Sequence, residues 1–358
     1  MKKTRWLPQY FFDSHCHGRD MRQAHKTTIY QVLLEAWTAG IGISVFMPNT
    51  NPAIVTIFTL LFYMYIMIKA EKRLKLGRQY LYFGATDHNY LSVWMALKFR
   101  RVLGIKIYPK AENGRIVTTG DCGIAKNSSL KKHMELAWKA KKVLAVHCDH
   151  PKVIQQEGHS INAEVGYVKK ILRMAPQFPG IKILICHASC RETIEEVLIA
   201  RRAGINVAVE LMPHYLWLDS NGTNWNTFDS KFYDCFNRLR NRYHREFLVG
   251  LLSLNLSWIW VASDSACHTR KEKLAGAAGI PSNQEMVAVV LTLAEELNLS
   301  SIQVANLLIY NAANFLGIEV SKKLVEYKLE WKIDNLRYNN GNVVNPWNGS
   351  RLFFPSKL

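Results

Sequence analysis

Two histidines separated by one residue, His15 and His17, close a short apolar run in the segment Asp13-Ser14-His15-Cys16-His17. On an extended strand alternate side chains share a face, so these two imidazoles can hold one divalent ion. Four further residues of ligand type lie on or at the ends of later apolar runs: Lys106, His147, His187 and Asp264. His147 and His187 can hold a second ion. Asp264 can ligate a metal and also exchange protons with a substrate. Lys106 is the odd member, because metal ions repel an ammonium. A neutral lysine amine can instead add carbon dioxide, and the resulting carbamate is a bidentate anion able to bridge two metals. Two metals a few ångströms apart can share a hydroxide and polarise a carbonyl.

Residues spread so widely along the chain need a scaffold that gathers them. Eight apolar or β-branched runs recur, at 11–16, 41–47, 80–85, 103–108, 143–148, 181–187, 205–211 and 258–263. Between them lie segments of helical periodicity, including 27–39, 90–100, 129–141, 163–174 and 191–203. Gly40, Gly104, Gly180 and Gly204 mark helix-to-strand joints, where a helix commonly ends. Near-continuous apolar strands alternating with helices predict a parallel sheet covered by helices, and eight such units predict an α/β fold of the (β/α)8, or TIM, barrel type. An open doubly wound sheet is the alternative, but no Gly-x-Gly-x-x-Gly turn follows the first strand. Strand C-termini in such a barrel converge on one mouth, which gives all six residues one destination. The whole chain, 1–358, reads as a single barrel domain with its strands within about 11–264. The C-terminal helices and tail, 283–358, are expected to pack outside, with the tail irregular after Lys328.

The composition, 49% hydrophobic and 21% charged, excludes a disordered chain. The net charge of +18, from 46 basic and 28 acidic side chains, is distributed over helical stretches. It reads as solvated helix faces, and no nucleic-acid partner is expected without a clustered basic face bearing aromatics. Seven cysteines without a Cys-x-x-Cys pair predict free thiols in a reducing, cytoplasmic setting. The basic N-terminus carries no secretory pattern. The apolar segment 53–68 is short for a membrane span and is interrupted by Thr56 and Thr59. A buried or interface helix is expected there, with no membrane partner, and the segment could serve as a homodimer contact. His25, His88, His133, His150, His159 and His244 read as ordinary core or surface histidines.

In these motifs the chain resembles the amidohydrolase superfamily and, within it, the dihydroorotases of the short single-domain type. Asp13-Ser14-His15-Cys16-His17-Gly18-Arg19-Asp20 is similar to that family's opening His-x-His-x-Arg motif, and Met47-Pro48-Asn49-Thr50-Asn51-Pro52 to its second-strand turn. Tyr82-Phe83-Gly84-Ala85-Thr86 and Gly104-Ile105-Lys106-Ile107-Tyr108-Pro109 follow in family order. Asp264-Ser265-Ala266-Cys267-His268 and Gly276-Ala277-Ala278-Gly279 resemble its strand 8 region. The motifs run from residue 11 to about 318, and the Met-Pro-Asn and Lys-Ile-Tyr-Pro elements narrow the resemblance to dihydroorotases.

The resemblance implies two zinc ions bridged by carboxylated Lys106 and a hydroxide. His15, His17, Lys106 and Asp264 would hold the first ion; Lys106, His147 and His187 would hold the second. It implies Asp264 as general base and acid, Arg19, Asn49 and His268 on the substrate carboxylate, backbone near Ala278 on the substrate, and Thr118 and Thr119 in a lid. The implied reaction is reversible hydrolysis of the cyclic amide of dihydroorotate to carbamoyl aspartate, a step of pyrimidine biosynthesis on a small-molecule substrate. The chain departs from the family at Cys267, where a proline is usual, in a longer segment 110–127, and in the strongly apolar segment 53–68. His214 is given a structural role and no metal, and Asp13 is expected to orient the histidines from behind. No segment before the first strand is expected to form the extra β-sandwich of hydantoinase-like relatives. Another cyclic amidohydrolase, such as an allantoinase or hydantoinase, would share the metal cage, and the carboxylate trio distinguishes it. A ligand-depleted scaffold homologue is disfavoured because all six positions are filled.

Overall fold

The computed structural model describes residues 3–111, 122–226 and 229–357. A short strand, β1 (Lys3–Pro8), precedes eight strands that pair in parallel in chain order: β2 (Phe11–Cys16), β3 (Ile41–Phe46), β4 (Tyr80–Gly84), β5 (Val102–Ile107), β6 (Val143–His147), β7 (Lys182–Cys186), β8 (Val207–Leu211) and β9 (Ile259–Val261). Nearly every residue of these eight is buried. Strands covered on both faces need apolar side chains throughout, which is why they read as continuous runs and not as alternations. The ring closes just past the strand ends. Cys16 bridges Ser265, the His17 amide donates to the Ser265 carbonyl at 3.0 Å, and the Asp264 amide donates to the His15 carbonyl at 2.8 Å. The expected barrel is therefore the observed one.

Helices α1 (Ile29–Thr38), α2 (Ile57–Leu74), α3 (Tyr90–Ala96), α4 (Asn127–Lys139), α5 (Pro151–Glu157), α6 (Ile161–Met174), α7 (Arg191–Arg202), α8 (Pro213–Trp217), α9 (Arg242–Leu251), α10 (Arg270–Leu274) and α11 (Met286–Glu296) alternate with or follow the strands. Side-chain caps start several of them. Thr28 accepts from the Gln31 amide, Ser160 from that of Ala163, and Thr56 forms a reciprocal capping box with Thr59. Such caps satisfy amides that have no partner within the helix.

Gly104 is not at a joint. It lies inside β5, where a Cβ atom would stand 1.9 Å from the Val143 carbonyl oxygen of β6. Only a residue without a side chain lets these two strands approach, and Lys106 sits two residues further along the same strand. Gly104→Ala is expected to destabilise the protein by about 3 kcal/mol or more, as overpacking against rigid backbone does, with urea unfolding as the measurement.

The tail also differs from expectation. β10 (Leu324–Ile333) and β11 (Arg351–Lys357) form an antiparallel three-stranded sheet with β1, in the order β1-β10-β11. A segment before the first barrel strand is thus built into a second sheet, and the region after Lys328 is largely regular. The sequence hid the place of β1 because its pairs, such as Lys3 with Leu329, are more than three hundred residues apart. Helix α2 is only partly buried. Leu60, Tyr63 and Met67 face the core while Phe58, Leu61, Phe62 and Tyr65 are exposed. No helix among the described residues is long and apolar enough to cross a membrane. All seven cysteines are buried.

Buried Glu35 ties α1 to the tail, accepting from the Asn339 amide at 3.1 Å and from Gln31 at 2.9 Å. Burial raises its pKa from 4.5 to about 7, against the lowering effect of these donors. A carboxyl raised on folding is harder to ionise in the folded chain than in the unfolded one. Its ionisation therefore costs stability progressively as pH rises from about 4.5 to about 7, and the loss persists above that. Glu35→Gln removes this term. It is expected to flatten the stability profile across that window and to raise Tm at pH 8 relative to the parent, measured by thermal unfolding at both ends of the window.

Candidate active site

The barrel mouth gathers the candidate ligands. One cavity is lined by His15, His17, Arg19, Asn49, His147, His187, Asp264 and Ala278, together with Tyr108, Cys235, Phe236, Ala266 and Gly279. The four imidazoles form a continuous chain. Ring centroids are 5.4 Å apart for His17 and His15, 5.5 Å for His15 and His187, and 4.6 Å for His187 and His147. Lys106 is fully buried beside them, with Nζ 5.4 Å from the centroid of Tyr108. Thr118 and Thr119 lie outside the described residues. His268 is buried but does not line the cavity; its ring lies against Gly279, where a Cβ would come within 3.0 Å of it.

Two donor sets are visible. His15 Nε2 and His17 Nε2 lie 3.1 and 3.0 Å from Asp264 Oδ1, and the ligating atoms of all three fall within 4.8 Å of one another. Burial would raise the Asp264 pKa, but the imidazoles of His15 and His17 hold it well below the usual carboxylate range. On the other side, His147 Nδ1 and His187 Nε2 are 2.9 Å apart. Burial pushes both pKa values well below the usual histidine range, reinforced by Lys106 at His147 and by His147 at His187. Neutral imidazoles are the form that ligates metals. His187 and Asp264 also hold left-handed backbone, with φ of 42° and 46°. That conformation costs on the order of 1–3 kcal/mol for such residues and concentrates at functional sites.

The ring orientations follow from hydrogen bonds. His17 Nδ1 is 2.7 Å from Asn49 Oδ1, an atom that can only accept, so the proton sits on Nδ1 and the Nε2 lone pair faces the cavity. His15 Nδ1 is 2.9 Å from Glu210 Oε2, which fixes its tautomer in the same sense. Glu210 on β8 is completely buried and also accepts from the Ser14 hydroxyl, which in turn accepts from Trp260 Nε1 at 2.8 Å. The sequence reading missed Glu210. Its signal was available: a lone acid in the apolar strand Val-Ala-Val-Glu-Leu must have a partner.

Asp13 plays a different part from the one expected. Its carboxylate accepts from the amides of His15 and Ser263, at 3.2 and 2.9 Å, and from the Ser263 hydroxyl at 2.6 Å. It holds backbone across the seam of the barrel and touches neither imidazole. His159, read as an ordinary histidine, pairs with buried Asp149 and stacks on Phe236 at 4.1 Å. His214 is fully buried against Tyr215, with neither ring nitrogen hydrogen-bonded among the described residues, and burial lowers its pKa to about 4.

The donor set suits metal binding: His15, His17 and Asp264 converge on one point. Among the described residues, Lys106 Nζ, His147 Nε2 and His187 Nδ1 are buried without a hydrogen-bond partner. Glu210→Gln removes the anionic acceptor behind His15 while keeping its volume. Metal affinity is expected to fall by roughly 10–100-fold, read by competition with a chelator; unchanged affinity would separate Glu210 from metal binding.

No family model matches the chain. It is 28% identical over 353 residues to a dihydroorotase of Thermococcus kodakarensis, covering 95% of this chain and 78% of that relative. Identity and coverage are the same for a dihydroorotase of Pyrococcus abyssi. Among solved structures, a dihydroorotase of Saccharomyces cerevisiae in complex with 5-fluoroorotic acid superposes with a TM-score of 0.82 at 18% identity, over 99% of this chain and 98% of that one. An L-hydantoinase of Arthrobacter aurescens gives 0.81 at 17% identity, over 98% and 82%. The barrel has the fold of these dihydroorotase and hydantoinase structures. The sequence relatives that match it over most of its length are dihydroorotases.

Proposed function

We propose that the chain catalyses reversible hydrolysis of the ring amide of dihydroorotate to carbamoyl aspartate, using two zinc ions. The observation that carries the reading is the convergence, on one cavity, of two histidine pairs, Asp264 and the guanidinium of Arg19, with buried Lys106 beside them. His15, His17, Asp264 and Lys106 would hold one ion, and Lys106, as a carbamate, would hold the second with His147 and His187. Bound there, the ions would supply Lewis acidity toward the ring carbonyl and lower the pKa of water to the neutral range.

The chain's own residues supply the rest. Asp264, ionised at neutral pH, accepts the proton of the attacking water and delivers it to the leaving ring nitrogen. The same carboxyl runs the reverse direction. Arg19 donates Nη1 to the Asn49 carbonyl at 3.0 Å, and among the described residues its Nε has no partner, so part of its planar fork is open to a substrate carboxylate. Because Asn49 Oδ1 is taken by His17, the amide can offer that carboxylate only its Nδ2 donors. Backbone near Ala278 completes the wall and fixes the ring over the ligand cluster.

Asp264→Asn keeps the shape and a ligating oxygen but cannot accept the proton. Turnover is expected to fall by at least about 10²-fold while bound metal, counted by elemental analysis, is retained; near-normal turnover would remove Asp264 from proton transfer. A panel of dihydroorotate, allantoin and hydantoin on one metal-analysed preparation tests the substrate. Turnover of dihydroorotate is expected. Turnover of allantoin or hydantoin without it would reassign the chain to another cyclic-amide hydrolase with the same cage.

A further inference from the structure

Among the described residues His268 Nε2 has no hydrogen-bond partner, and its Nδ1 lies 3.3 Å from Lys26 Nζ. Lys26 is itself buried. An ammonium offers three donors and no lone pair. A ring nitrogen facing it must therefore be the accepting one, which leaves the imidazole proton on Nε2. We propose that Lys26 is a positioning residue that fixes the Nε2–H tautomer of His268, whose ring lies behind Gly279 of the cavity wall, so that it turns a donor toward the carboxylate end of the site. This deepens the dihydroorotate reading and rests on it.

The surroundings are built for that task. Glu272 Oε1 holds Lys26 Nζ at 3.0 Å and also lies 3.2 Å from His25 Nε2. The second oxygen of Glu272 accepts from the amide and hydroxyl of Thr269, both at 2.9 Å, so the carboxylate is pinned to the start of α10. Asn339 of the tail donates its Nδ2 to the Lys26 carbonyl at 3.1 Å and to the His25 carbonyl at 3.0 Å. The His268 ring stays neutral, because burial, Arg19, Lys26 and Lys273 all lower its pKa and only the more distant Glu272 opposes them. Neutrality makes the tautomer matter, since a doubly protonated ring would donate from both nitrogens. With Lys26 in place, Arg19, the Asn49 amide group and His268 offer donors only. A site that offers no acceptor favours a carboxylate over a neutral amide edge at this end of the ring, so Lys26 contributes to substrate choice without touching substrate.

The test uses the metal-loaded full chain labelled with ¹⁵N-histidine, with the His268 signal assigned through His268→Gln. The parent is expected to show the Nε2–H tautomer. Lys26→Met keeps the aliphatic stem and loses the donor. It is expected to release His268 to a mixed or Nδ1–H form, and to raise KM for dihydroorotate about tenfold, the worth of one hydrogen bond to a charged group, with kcat little changed. Lys26→Arg, which can still donate, should restore both. An Nδ1–H tautomer in the parent would overturn the proposal, as would unchanged tautomer and KM in Lys26→Met. Absence of dihydroorotate turnover in the parent would instead remove the substrate reading, while the tautomer would still decide what Lys26 does to His268.

Discussion

The carboxylate of Asp13 joins the first barrel strand to the last, and the site exists because that seam is closed. Three hydrogen bonds from His15 and Ser263 hold the two strand ends in register. Burial raises the Asp13 pKa to about 6, although those donors pull it down. On one side of the seam stand His15 and His17, and on the other Asp264. An error of one residue in closing the ring would turn His15 and His17 away from Asp264, because neighbouring side chains on a strand point oppositely. A buried carboxylate with several directional donors specifies one register where apolar packing alone would tolerate several.

The site separates two kinds of charge. At one end, imidazole nitrogens and carboxyl oxygens cluster. At the other, the positive charges of Arg19, Lys26 and Lys273 lie around His268. Asn49 lies between them, with its oxygen turned to His17 and its backbone carbonyl to Arg19. One side chain thus orients a ligand of the first end and leaves its own nitrogen for the second. The net charge of +18 gives the molecule as a whole a field that draws anions toward it.

Much of this was legible in the sequence because strand ends and ligand types coincide. Eight apolar runs, with histidine, lysine or aspartate at fixed places in them, leave little freedom once a barrel is inferred, and the family resemblance named the same residues. What was not legible depends on pairings that no local pattern announces. Glu210 looks like a stray charge until β8 is seen facing Ser14 and His15. Lys26 reads as one of many surface lysines, and its burial depends on Glu272 and on Asn339, more than two hundred residues away. Gly104 fits a helix end by spacing, yet the Val143 carbonyl forbids any side chain there. The terminal sheet escaped notice because β1 has its partner, β10, at the far end of the chain. The apolar helix α2 was expected as buried or at an interface, and the structure shows its Phe58 edge open to solvent.

The pairing of β1 with β10 and β11 bears on how the chain is made. Strands β2 and β3 leave the ribosome early, carrying two of the imidazoles, but β9 and the seam residues come about two hundred and fifty positions later, and the strands that cover β1 later still. Until then the first strand has an unprotected edge and an incomplete set of ligands. Such long-range pairings are slow to form. The seam closes only after Asp264 has been made, so the ligand-type residues of the mouth come together only when about three quarters of the polypeptide exists.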